Sequence, residues 1–198
     1  AAINIDAKNK ATFAALQKSS DEKPLKTKPY IERARKTQKI ADDFVKYVDG
    51  LIKTTENLYG GEEARNEEGE MLAADQMEKH ANYFVNEGHG VEFKDKINKA
   101  REDMLNILKP EPSDTLYNIK TNEVYDEVKA SCQLWAKEPT SGKGDWVSQN
   151  LEHVPASGLM AILSRIKNDA KSLEANVLEK LASRIDATDY KFDKLEAK

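Results

Sequence analysis

Residues 29–61 read PYIERARKTQKIADDFVKYVDGLIKTTENLYGG, and this stretch establishes the fold class. Its apolar and small side chains recur at alternating intervals of four and three, the heptad spacing of a packed helix. These positions are Tyr30, Ala34, Thr37, Ala41, Phe44, Val48, Leu51, Thr55 and Leu58, with Ile31, Val45 and Ile52 beside them. We predict a long helix that begins at Pro29, ends at Gly60–Gly61 and buries one face.

The opposite face of this stretch carries acid–lysine pairs four residues apart, the favourable helical order: Glu32–Lys36, Asp42–Lys46 and Asp49–Lys53. Over the 198 residues, 33% are charged and 39% are hydrophobic, a balance that favours a solvent-exposed helical bundle over an enzyme with a thick core. The net charge of −4 argues against a nucleic-acid partner, which normally selects a basic surface.

Further helices are predicted on both sides. One covers Ile3–Lys18 and is broken by SSDEKPLKTKP at 19–29. A short one covers Leu72–Val85, with Met77, Ala81 and Phe84 inward, and another covers Asn122–Ala136. The four–three spacing returns at Phe93, Ile97, Ala100, Met104 and Ile107, and again after Pro155 at Leu159, Leu163, Ile166, Ala170, Leu173 and Val177, continuing to Ile185. The prediction is an all-α, elongated bundle of long antiparallel helices.

The last residues, DYKFDKLEAK, place Tyr190, Phe192 and Leu195 among charges at near-alternate positions, which is typical of a strand. A lone strand is not stable without a partner. We therefore expect a helical domain over 1–187 and the truncated start of a following β domain over 188–198. No run of about 18 apolar residues indicates a membrane span.

The sequence offers no catalytic, cofactor-binding or metal-ligating residues. His80, His89 and His153 lack the spacing of a metal site, and ordinary surface or interface positions are expected for them. The many carboxylates lie on polar helix faces or in the acidic segment 62–79, whose role the sequence leaves open. Cys132, the single cysteine, is expected to be a small buried residue.

Two questions stay open at this point. Trp135 and Trp146 flank the polar loop EPTSGKGD at 138–145, and they either anchor that loop in the core or form a ligand-binding aromatic pair. The heptad stripes either close an intramolecular bundle or pair in part with another chain. The functional alternatives include an extracytoplasmic ligand-sensing bundle and a cytoplasmic coiled-coil adaptor.

The order of several motifs resembles the N-terminal region of the GldM/PorM family. They are NKATFAALQKS at 9–19, the helix around Ala41–Leu51, GHGVEFKDKINKAREDMLNIL at 88–108, YNIKTNEVYD at 117–126 and WVSQNLEHVPASGLMAILSRIKNDAKSLEANVL at 146–178. The positions that match the family pattern in the last motif are Trp146, His153, Pro155, Leu163, Asp169 and Glu174. The chain departs from the pattern in 62–79, in 138–145 and at Leu151, where the family has an aromatic residue.

The resemblance implies a non-catalytic periplasmic scaffold or coupling domain of the type IX secretion and gliding machinery. It implies a full-length protein that is anchored in the inner membrane by a helix before Ala1 and is a homodimer. The implied partners are a GldL-like inner-membrane protein of a proton-driven motor and a GldK/GldN-like periplasmic ring. Nucleic acid and cofactors are not among the implied partners, and a membrane is contacted only through the helix outside this chain.

Overall fold

The two longest helices of the computed structural model follow the two long heptad stretches. The model describes residues 2–112, 114, 122–140, 142 and 144–196. The described helices are α1 (Ala2–Glu22), α2 (Pro24–Leu58), α3 (Glu78–Ala81), α4 (His89–Asn106), α5 (Glu123–Ser131) and α6 (Ala156–Glu196). A 3₁₀ turn at Gly61–Ala64 and π-helical turns at Asn82–Asn86 and Ser148–Glu152 join them. The described part of the chain contains no named strand, so the all-α prediction is confirmed.

Helix α2 buries the predicted face but starts earlier than expected. The heptad positions from Tyr30 to Thr55 are all buried, and Leu58 is half-buried beside buried Tyr59. Pro24 is the first residue of the helix, where its missing N–H costs nothing, and Pro29 lies inside it. The predicted linker 19–29 is therefore reduced to the bend at Lys23. Gly60 and Gly61, at φ 97° and 64°, end α2 as predicted.

The chain divides into two compact units. Unit 1 comprises residues 1–42, 101–133 and 169–198, and unit 2 comprises 43–100 and 134–168, so that α2, α4 and α6 contribute residues to both. In unit 1, α1 runs antiparallel to α2: Asp6 and Asp42 both contact Lys171, whereas Gln17 accepts a hydrogen bond from Arg35 at 2.7 Å. The core of unit 1 includes Leu16, Tyr30, Met104, Leu108, Val128, Cys132, Leu173 and Leu181.

Unit 2 contains the less regular part of the chain. Residues 65–71 form a tight turn closed by an isolated antiparallel bridge between Arg65 and Met71. The core of unit 2 contains aromatic rings from several segments. The ring centroid of Phe93 lies 6.1 Å from those of Tyr47 and Trp146 and 6.5 Å from that of Phe84. Leu151, Leu159 and Leu163 complete the buried set.

Two predicted helices are shorter than expected. In place of Leu72–Val85, only α3 and the following π-helical turn form, and Leu72 and Met77 are 67% and 45% exposed, because 65–76 is taken up by turns. In place of Asn122–Ala136, α5 ends at Ser131. Beyond it Cys132, Leu134 and Ala136 are buried and the residues between them exposed, the pattern of an extended segment. The alternation in CQLWAK at 132–137 was the missed signal.

The predicted strand at the end of the chain is also wrong for 188–196. These residues continue α6, which ends at Glu196. A helix satisfies its backbone hydrogen bonds within the segment, whereas a strand needs a neighbour, and the described residues provide none. The start of a following β domain remains a prediction.

Gly90 permits a close approach that any side chain would block. A Cβ at this position would lie 2.4 Å from Val147 Cγ1 and 2.8 Å from the Phe84 carbonyl oxygen. We expect Gly90→Ala to lower the free energy of unfolding by about 1–3 kcal/mol through overpacking, measured by chemical denaturation. The matched control is Gly50→Ala in α2, where nothing lies within 4 Å and the better helix former is expected to stabilise by about 0.5–1 kcal/mol. Equal effects of the two substitutions would contradict this packing.

Candidate functional site

The most unusual chemistry of unit 1 is a buried group of three charged side chains and one tyrosine, here called the arginine cluster: Tyr30, Arg33, Asp114 and Arg184. The Asp114 carboxylate is fully buried and accepts hydrogen bonds from Tyr30 Oη at 2.9 Å, Arg33 Nη1 at 2.9 Å and the Glu111 N–H at 2.8 Å. Arg184 Nη1 lies 3.8 Å from the same carboxylate. Side chains of α2 and α6 therefore meet on one acid.

The two arginines also hold the turn that follows α4. Arg33 donates to the carbonyl of Ile107 through Nε at 2.9 Å and to that of Lys109 at 3.0 Å, and Arg184 donates to the carbonyl of Leu108 at 2.8 Å. These three residues come directly after Asn106, the last residue of α4. The arginine cluster thus joins α2 and α6 to the turn at the end of α4.

The environment of Asp114 keeps it ionised. Burial alone raises the pKa of its carboxyl, but the hydrogen bonds from Glu111 and Arg33 and the charge of Arg33 outweigh burial and hold the pKa below its usual value. Burial and the neighbouring charge of Arg33 lower the pKa of Arg184. The Asp114 carboxylate thus sets one negative charge against the two positive charges of Arg33 and Arg184.

A second charged group, the lysine cluster, comprises buried Asn9, Lys171 and Glu174, half-buried Asp6 and exposed Asp42. The Lys171 ammonium lies 2.7 Å from Asp42, 3.0 Å from Glu174 and 3.2 Å from Asp6. Asn9, itself buried, donates to both the Lys171 carbonyl and the Glu174 carboxylate at 3.0 Å. One cation therefore ties α1 and α2 to α6.

The members of the lysine cluster depend on one another. Burial lowers the pKa of Lys171, but hydrogen bonds to Asp42 and Glu174 outweigh it and the pKa is raised overall. Burial raises the pKa of Glu174, and Lys171 and Asn9 offset only part of that shift. Glu174 is 1% exposed, so its negative charge is tolerable only beside the ammonium.

Unit 2 contains a neutral polar group, the histidine lock, formed by Tyr59, His80 and the Val154 carbonyl. His80 is fully buried, with Nδ1 2.7 Å from Tyr59 Oη and Nε2 2.9 Å from the Val154 oxygen. The expected surface position is therefore wrong for His80, because both ring nitrogens find partners inside unit 2. It is right for exposed His153, whereas His89 stacks on Tyr83 at 4.1 Å between ring centroids.

The segment beside the histidine lock also caps the longest helix. The N–H groups of Ala156 and Ser157, at the start of α6, donate to the carbonyls of Gln76 at 2.9 Å and Ala74 at 3.1 Å. Backbone carbonyls thus occupy the place usually taken by a capping side chain. This contact gives the acidic segment 62–79 a structural role that its composition did not predict.

The tryptophans have separate environments. Trp146 is buried edge-to-face against Phe93, which confirms it as an anchor. Trp135 is 49% exposed, and the Lys137 ammonium lies over its ring at 5.0 Å. A surface depression of about 430 Å³ is bordered by Gln76, Met77, Glu78 and Lys79. Neither tryptophan is among these four residues, so the depression is not the tryptophan-lined site that ligand sensing was expected to use.

The residues singled out by resemblance fall into two groups. Trp146, Leu163 and Glu174 are buried, whereas His153 and Pro155 are exposed and Asp169 is half-buried. Four buried charged residues were not predicted from the sequence: Arg33, Asp114, Lys171 and Arg184. Their positions beside the buried stripes could have indicated that three of them are buried. Arg33 follows Tyr30 by three residues, and Lys171 and Arg184 adjoin the buried Ala170 and Ile185.

These clusters are suited to holding helices together. In the described ranges, no group of three or more His, Cys, Asp and Glu side chains is placed to hold a metal ion. None of the described helices combines the length and the apolar content that crossing a bilayer requires.

Comparison with known proteins places the chain in a family. No curated protein matches it in sequence. The sequence-family model described as the GldM N-terminal domain matches residues 1–184. This range is nearly the whole chain, and it includes both charged clusters and the histidine lock. The chain belongs to the GldM N-terminal domain family.

Proposed function

We propose that this chain is a non-catalytic periplasmic scaffold that couples the inner-membrane, proton-driven motor of the type IX secretion and gliding machinery to the complex at the outer membrane. Membership of the GldM family points to that machinery. The observation that carries the coupling role is the use of buried charge, since both charged clusters hold long helices to one another.

An element that transmits force has to resist sliding of one helix along another. A buried ion pair with several hydrogen bonds is strongly destabilised when one partner is removed. The arginine and lysine clusters therefore stabilise the contacts among α1, α2, α4 and α6 within unit 1, and the coupling role requires that stability.

The partners are part of the same proposal. We propose that the full-length protein is a homodimer anchored in the inner membrane, that it meets a GldL-like protein there, and that it reaches a GldK/GldN-like ring. The charged composition and the long helices support such a role, since an element that transmits force needs stiffness and does not need a ligand pocket.

An insertion can separate the mere presence of the protein from the transmission of force through it. In cells with the full-length protein, a flexible Gly/Ser segment of about ten residues is inserted directly after Lys198. We expect secretion of a type IX cargo to fall to the level of a deletion strain, at unchanged protein amount and membrane localisation. A helical Glu-Ala-Ala-Ala-Lys insert of equal length should restore part of the secretion, because it is stiffer.

The matched control places the same flexible segment at Gly69, at the exposed turn of 65–71. This variant should secrete normally. Full secretion with the flexible segment after Lys198 would rule out force transmission through this domain. It would favour a tethered binding or sensing role, which a flexible connection leaves intact.

A further inference from the structure

The hydrogen bonds of the closed histidine lock fit the neutral imidazole of His80. A carbonyl oxygen accepts and cannot donate, so the hydrogen on the imidazole must sit on Nε2, which faces the Val154 oxygen at 2.9 Å. Nδ1 then carries a lone pair and accepts the hydrogen of Tyr59 Oη at 2.7 Å. The backbone N–H of His80 also points at Tyr59 Oη, at 3.4 Å. Every position around the ring is matched to neutral imidazole.

A proton added to Nδ1 breaks this match. The new N–H would face Tyr59 Oη, whose own hydrogen would have to find another acceptor in a buried place. Tyr59 is 4% exposed and His80 is fully buried, so water does not solvate the resulting charge. An added proton therefore weakens the contact between the ring and the tyrosine.

The charged neighbours do not offset that charge. On α3 itself, Glu78 is exposed and Lys79 lies over the Tyr59 ring at 5.6 Å. At the end of α2, Glu56 pairs with Arg65. In the π-helical turn 148–152, which packs against α3, Glu152 accepts a hydrogen bond from Ser148 and lies 3.6 Å from the exposed His153. The described carboxylates around the lock are thus exposed or engaged elsewhere.

The lock holds the cap of α6 in place. Ala74 and Gln76, whose carbonyls receive the first N–H groups of α6, lie four to six residues before His80. The residue that fixes His80 from the other side, Val154, lies immediately before Pro155 and α6. Releasing His80 therefore loosens the cap from both sides.

We propose that the histidine lock is a pH-sensitive latch, in which proton uptake by His80 releases residues 73–80 from the start of α6. Burial lowers the pKa of His80, so the folded state binds the proton less well than the open state. The latch is consequently closed above the ordinary histidine pKa of about 6.5 and is weakened progressively below it. The latch does not depend on the proposed role in secretion.

Amide hydrogen exchange of the purified chain at Ala156 and Ser157 tests the latch. If closed His80 stays neutral, the opening equilibrium rises by up to about thirtyfold between about pH 7.5 and pH 5, after correction for intrinsic exchange. His80→Gln supplies one donor and one acceptor without titrating, and it should remove this rise. His153→Gln, at an exposed position, should retain it.

Tyr59→Phe provides an independent variant. It removes the donor to Nδ1, so we expect more opening at about pH 7.5 and a smaller rise at pH 5. If His80→Gln does not fold, the imidazole NMR signals of the unmodified chain decide. Titration of His80 near the ordinary value with exchange at Ser157 unchanged, or an unaltered pH rise in His80→Gln, would overturn the latch.

Discussion

Replacing Asp114 by alanine is expected to lower the free energy of unfolding by about 3–5 kcal/mol. The substitution removes the carboxylate that Arg33, at 5% exposure, contacts at 2.9 Å, and it removes an acceptor for the Tyr30 hydroxyl. A buried guanidinium that loses its carboxylate partner costs far more than the loss of a surface pair. Urea denaturation near neutral pH measures the change.

The control for this prediction is Glu127→Ala in the same unit. Glu127 pairs with Lys180 at 2.8 Å, but its side chain is 63% exposed, so the loss should stay below about 1 kcal/mol. The pH dependence has a defined sign. Because the pKa of Asp114 is lowered by folding, its stabilising contribution is present above the ordinary value of 3.8 and is lost as the pH falls below it. Equal losses in the two variants would contradict the arginine cluster.

Lys171→Met is expected to have an effect of similar size, about 3–5 kcal/mol, for the complementary reason. It removes the cation from a site where Glu174 is 1% exposed and where Asp6 and Asp42 add negative charge. The loss should be largest near neutral pH. As the pH falls towards the ordinary glutamate value, Glu174, whose pKa burial already raises, takes up a proton and the penalty shrinks.

A double-mutant cycle combines Lys171→Met with a second substitution, Glu174→Leu. With both changes, methionine and leucine replace the ion pair, and Asn9 keeps its bond to the Lys171 backbone carbonyl. The double variant should regain at least about 2 kcal/mol relative to Lys171→Met alone. Lys180→Met, at the exposed pair with Glu127, is the matched control. Simple additivity of the two losses would show that Lys171 and Glu174 do not interact.

Much of the helical architecture could be predicted from the sequence, because heptad spacing reports directly which face of a helix is buried. The seams of α2 and α6 are confirmed position by position from Tyr30 to Thr55 and from Leu159 to Val177. The first and last residues of the helices were harder to predict. Pro24 and Pro29 are both compatible with the first turn by sequence, and only the fold decides that α2 begins at the first of them.

The candidate site was largely beyond sequence reasoning, and the reason is physical. From the sequence alone, solvent-facing positions would be expected for Arg33, Lys171 and Arg184, because their partners lie far away along the chain. Arg33 contacts Asp114, and Lys171 contacts Asp6 and Asp42. His80 likewise gains its meaning from Tyr59 and Val154. A pattern along one helix cannot show which polar residue finds a partner on another.

The central proposal is that this domain acts through its folded helices and not through the chemistry of its buried charges. The most direct measurement compares type IX cargo secretion in cells whose full-length protein carries Lys171→Met, or Lys171→Met with Glu174→Leu, at matched protein amounts. A mechanical role predicts that secretion falls with the single substitution and returns with the double one, following stability. A double variant that is stable but still fails to secrete would contradict that role and would make the lysine cluster a functional site in its own right.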